Sequence, residues 1–161
     1  MSYSVNITTR TTSSSNAIFL NYGYCKTIPG LLKLSELILG IITVGVTVHY
    51  YTHNLNIISG DLFFLLMATT FMVGTFCLLF SYVLSWKTAV IPKTMFEIVY
   101  HGIAFILLLA ASITLLVKVK DLHWFRRDVY DAYMASAILG LINSVLYLAS
   151  TVFAQRQYQG I

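Results

Sequence analysis

Glu97 and His101 stand four positions apart, so on a helix they share one face, where a carboxylate beside an imidazole can pass a proton or seat a metal. The residues that follow on that face, Phe105, Leu108 and Leu109, supply nothing to continue a relay. Glu36 has Lys33 three positions before it and Glu97 has Lys93 four before it, so each acid has a basic neighbour on its own face. The plainer reading of both pairs is that they fix helix ends and register. His49 and His53 repeat the four-residue spacing, but no cysteine or carboxylate at a supporting spacing completes a metal site. The signatures of zinc-protease, esterase and nucleotide chemistry (HExxH, GxSxG, the P-loop and the dinucleotide fingerprint) do not occur. Cys25 and Cys77 form no CxxC, and Cys77 has no activating neighbour in sequence. These residues predict no enzyme, no cofactor, no metal and no small-molecule substrate.

The elements that hold these groups are legible in the charge pattern. Hydrophobic residues make up 58% of the 161-residue chain and charged residues only 10%, against about 25% charged in a soluble domain. A disordered chain needs the reverse composition, and a soluble globule could not hide so much apolar surface. The net charge of +4 is scattered rather than gathered into a patch, which argues against nucleic acid as a partner. No charged residue falls within Leu62–Leu84, Ile98–Val117 or Ala132–Ala154. Each run reaches the roughly 20 residues that cross a hydrocarbon core. A further apolar stretch between Lys33 and His53 carries Glu36 near its start, within reach of headgroups or water. The expectation is therefore all-α: a transmembrane four-helix bundle with spans at about 31–52, 61–84, 95–117 and 132–154.

Orientation follows from the basic residues. With both termini cytosolic, Arg10, Lys26, Lys33, Lys87, Lys93 and Arg156 lie inside, and Lys118, Lys120, Arg126 and Arg127 outside. Trp86 and Trp124 then fall at opposite interfaces. Residues 1–24 read as a disordered Ser/Thr-rich cytosolic tail, 25–155 as the membrane domain, and 156–161 as a short cytosolic tail. The first span is expected to be an uncleaved anchor, because a polar stretch precedes it. In this orientation the sequon Asn6-Ile7-Thr8 stays unglycosylated, and a glycan on Asn6 would invert the topology. The loops are too short to fold an external domain.

Ala132, Ser136, Gly140 and Ser144 recur every four residues on the last span, a ladder of small side chains that lets another backbone approach closely. Its partner is either another helix of the same bundle or a neighbouring chain. Asn143 is the most polar residue of that span. Cys25, beside Lys26 and just before the first span, suits S-palmitoylation. Tyr158-Gln159-Gly160-Ile161 has the tyrosine-plus-bulky-apolar form of a sorting signal, and His123 to Arg127 combines aromatic and basic residues suited to headgroups. Ile28-Pro29 before Glu36 and Ile91-Pro92 before Glu97 suggest a faint duplication of a two-helix unit.

Over residues 25–155 the chain resembles the MARVEL domain. The resemblance rests on Pro29-Gly30-Leu31-Leu32-Lys33-Leu34-Ser35-Glu36 and Phe96-Glu97-Ile98-Val99-Tyr100-His101, with Ala110-Ala111-Ser112 and Asp131-Ala132-Tyr133 in support. Within that family it is most similar to the small, single-domain insect type called singles bar, lacking the external loops and coiled-coil tail of junctional members. The resemblance implies a non-enzymatic organiser of membranes, acting in vesicle traffic, membrane apposition or, for the singles bar type, myoblast fusion. It places the chain in the plasma membrane or secretory vesicles, with the lipid bilayer, copies of itself or other membrane proteins as partners. Two other classes stay open: a small ion- or proton-conducting or transporter-like bundle using Glu97 and His101, and an accessory subunit of a larger membrane complex.

Overall fold

The computed structural model describes residues 24–53, 61–84, 95–120 and 127–160. A single 3-10 turn, Tyr24–Lys26, leads into α1 (Ile28–His53), followed by α2 (Asp61–Leu84), α3 (Met95–Lys120) and α4 (Arg127–Gln159). All four helices are long and apolar enough to cross a membrane. α2 coincides with its expected span, whereas α1, α3 and α4 run past theirs at one or both ends. Charge-free runs mark the hydrocarbon depth, but nothing obliges a backbone to stop there. Lys118, Lys120, Asp131 and Arg156 stay helical with exposed side chains. The 33 residues of α4 therefore make a rod of about 50 Å, longer than the roughly 30 Å of hydrocarbon. Most of the segment read as a C-terminal tail is the last turn of this rod.

Thr27 caps α1: its Oγ1 accepts the Gly30 amide at 3.3 Å and donates to the Tyr24 carbonyl at 2.7 Å. Pro29 occupies the first turn, where its missing N–H deprives no carbonyl. Further along, the buried positions of α1 are Gly30, Lys33, Glu36, Gly40, Thr43 and Thr47. Their spacing of three and four lays one stripe along the helix, as shallow-angle helix packing requires. That stripe holds glycine, threonine and charge, while Ile38, Ile41 and Ile42 point outward. A helix of this pattern is inside-out relative to water and correct for lipid, where small residues allow close approach and polar groups hold helices together.

The other helices supply the apolar core. Phe64, Ala111, Leu115, Val119, Val129, Tyr133 and Ala137 form one cluster, and Ala68, Phe71, Ala104, Leu108 and Tyr147 another. Ser150 near the end of α4 meets Glu36 near the start of α1, and Lys33 of α1 meets Glu97 at the start of α3. Tyr82 near the end of α2 also meets Glu97. Successive helices thus run in opposite directions, and one end of the bundle gathers the starts of α1 and α3 with the ends of α2 and α4. At the far end, the Tyr133 hydroxyl donates to Asp61 Oδ2 at 3.3 Å.

Candidate functional site

The densest polar chemistry lies at the end where α1 and α3 begin. Lys33 and Glu97 form an ion pair with side chains 2% and 3% exposed. The second oxygen of Glu97, Oε2, accepts the Tyr82 hydroxyl at 2.6 Å. Lys33 Nζ also lies 5.2 Å from the centre of the Tyr82 ring, within cation–π range. Tyr24, from the turn before α1, stacks on the same ring at 4.5 Å and 11°. Burial, with Glu97 beside it, pushes the Tyr24 phenol above its ordinary range, so it stays neutral.

One turn deeper, Ser150 of α4 donates to Glu36 Oε1 at 2.5 Å. His101 Nδ1 lies 2.7 Å from the Glu97 carbonyl oxygen. A carbonyl only accepts, so Nδ1 carries the hydrogen. The opposite ring nitrogen, Nε2, faces Glu36 Oε2 at 3.8 Å, and neither atom has another hydrogen-bond partner. His101 and Glu36 are both fully buried.

Beneath this cluster, two tyrosines brace the middle of the bundle. Tyr100 of α3 and Tyr147 of α4 donate to the Phe71 carbonyl at 2.9 and 3.2 Å, and Thr75 Oγ1 meets their hydroxyls at 3.1 and 2.7 Å. Gly74 makes this crossing feasible, since a Cβ there would sit 2.8 Å from Tyr100 Cε2. Three helices are tied at one level.

Sequence reasoning gathered the right acids, and Lys33 and Glu36 share the buried face of α1. Lys33 also reaches across the bundle interior to pair with Glu97 on α3, a partner that spacing along one helix does not specify. Glu97 and His101 do lie on one buried face, yet the imidazole takes the backbone carbonyl and leaves the carboxylate to Lys33 and Tyr82. Lys93 and Ile161 lie outside the described residues, as does the side chain of His53. Ser136, Gly140 and Ser144 are buried within the bundle and Ala132 is half-buried. At Gly140 a Cβ would lie 2.5 Å from Ser112 Oγ and 2.7 Å from the Phe64 ring, so this step of the ladder faces α2 and α3. Asn143 is buried, and its Oδ1 has no hydrogen-bond partner. Cys25 is half-buried in the turn before α1, and Cys77 lies on the exposed surface of α2. Tyr158 is exposed in the last turn of α4. Sequence reasoning missed Tyr24, Tyr82, Tyr100, Tyr147, Thr75 and Ser150. Hydroxylic residues recurring within charge-free spans were the available signal.

Comparison with known proteins agrees with this architecture. The membrane-associating domain of the MARVEL family matches residues 24–153. Plasmolipin of Danio rerio is 25% identical over 147 residues, an alignment that covers 88% of this chain and 78% of that protein. No solved structure matches the chain.

Proposed function

The chain belongs to the MARVEL family, and on that premise we propose that this integral multi-pass membrane protein is a non-enzymatic organiser of membranes, acting in vesicle traffic, membrane apposition or cell–cell fusion. The observation that carries this reading is the division of the bundle. Among the described residues, Lys33, Glu36, Glu97 and His101 are buried inside the bundle, where Lys33 pairs with Glu97 and Glu36 with Ser150. The large side chains on the outer surface are mostly isoleucine, valine, leucine and phenylalanine. Such a molecule meets its surroundings through lipid and neighbouring spans, by van der Waals fit and local lipid order. Conduction through Glu97 and His101 is the weaker reading, because Glu97 has one oxygen on Lys33 and the other on Tyr82.

Within this proposal both termini face the cytosol, the chain resides in the plasma membrane or secretory vesicles, and Cys25 and the Tyr158–Ile161 segment serve acylation and sorting. The resemblance to the singles bar type adds myoblast fusion. Deleting the chain from cells that express it, and following a synchronised pulse of secretory cargo together with the fraction of multinucleate cells, tests the reading. Slowed cargo delivery or fewer fused cells supports it. Unchanged delivery and fusion, with a proton or ion leak in vesicles bearing the purified chain, overturns it in favour of conduction.

A further inference from the structure

We infer that Glu36 and His101 form a buried proton-binding site, with one proton held between Glu36 Oε2 and His101 Nε2. The two atoms face each other at 3.8 Å, both side chains are fully buried, and neither atom has another hydrogen-bond partner. The separation exceeds a direct hydrogen bond and lies within ion-pair range.

Charge balance points the same way. The groups facing the pair are Lys33 from α1, Glu97 and Tyr100 from α3, Tyr82 from α2, Tyr147 and Ser150 from α4, and Tyr24 from the preceding turn. Tyrosines and serine are neutral, and Lys33 cancels Glu97. An ionised Glu36 beside a neutral His101 would leave one uncompensated negative charge in a space shielded from both water and lipid headgroups, which is strongly unfavourable. One added proton restores neutrality, whether it resides on the carboxylate or on the imidazole. Because Nδ1 is committed to the Glu97 carbonyl, Nε2 is where the ring either receives that proton or accepts a hydrogen bond from the acid. The proton is transferable within the site without change in net charge. It ties α1 to α3 in the same layer where Ser150 ties α1 to α4.

The sequence makes this directly measurable. Glu36 and Glu97 are the two glutamates of the chain, and His101 is one of four histidines. Full-length wild-type protein with carboxyl-13C glutamate, in lipid vesicles at pH 7, gives infrared bands from these two acids alone. A variant carrying His49→Asn, His53→Asn and His123→Asn leaves His101 to be read by 15N resonance, and the wild-type spectrum serves as a check that this variant is native. One protonated and one ionised glutamate with a neutral His101 is the expected result. Two ionised glutamates with a doubly protonated His101 supports the site equally. Two ionised glutamates with a neutral His101 overturns it, and so does any state holding two or more extra protons.

Discussion

Replacing Glu97 with Gln should weaken the bundle by about 3 kcal/mol, and further replacing Lys33 with Met should restore most of that. Lys33 and Glu97 are 2% and 3% exposed, so neither can turn to water when its partner goes. Removing one member of a buried pair costs about 3–5 kcal/mol, chiefly because the other charge is stranded. The Tyr82 phenol keeps an acceptor in the glutamine oxygen but loses a charged one, and Lys33 keeps the Tyr82 ring. In a bilayer the unfolded reference also finds polar partners, which holds interhelical hydrogen bonds to about 0.6–1.7 kcal/mol and favours the lower figure here. About 3 kcal/mol is a hundredfold fall in the folding constant. Lys33→Met on top of Glu97→Gln removes the stranded ammonium, so about 2 kcal/mol should return. The measurement is reversible unfolding in mixed detergent–SDS micelles, run as a double-mutant cycle. Single losses that add to within about 0.5 kcal/mol would show that the two residues do not act together. The pairing of Lys33 on α1 with Glu97 on α3 would then be refuted.

Tyr147→Phe removes a hydroxyl that reaches both Thr75 and the Phe71 carbonyl, and should cost about 1 kcal/mol in the same unfolding measurement. Gly140→Ala drives a methyl group against Ser112 and Phe64 and should cost about 1–3 kcal/mol, whereas a ladder facing a neighbouring chain would lose association and leave unfolding unchanged. Cys77 should resist a charged, water-soluble maleimide and react with a lipophilic one, because its exposed surface is covered by lipid. Tyr24→Ala should speed modification of Cys25 by the water-soluble reagent severalfold, since it removes the stacking contact that seats the turn on Tyr82.

The helices were legible because membrane spans advertise themselves: a charge is so costly in hydrocarbon that its absence from Leu62–Leu84 locates α2 without any reference to packing. The acids of the cluster were legible for the converse reason, since Glu36 and Glu97 stand out against such a background. Their partners were not. Pairing on a single helix is set by spacing, but pairing between helices is set by rotation, and a one-residue turn of α1 would exchange Lys33 for a half-buried leucine. The tyrosines illustrate the same limit. Tyr100 and Tyr147 are amphipathic enough for an interface or a core, and the decision rests on Gly74 and Thr75 of a helix they do not belong to.

The buried face of α1 ties these strands together. In water, a stripe of Gly30, Lys33, Glu36, Gly40, Thr43 and Thr47 would be the solvent side of a helix, and the bundle would turn it outward. In lipid there is no such escape, and each polar group gains most by finding another polar group. α1 packs along α2 and α4, and at the end where it begins its polar stripe meets Glu97, His101 and Ser150. A bundle of this kind spends its ionisable side chains on its own assembly and offers lipid and neighbouring spans a surface of branched apolar residues. The proton between Glu36 and His101 is then part of the fold, and any event that removed it would act on α1 first.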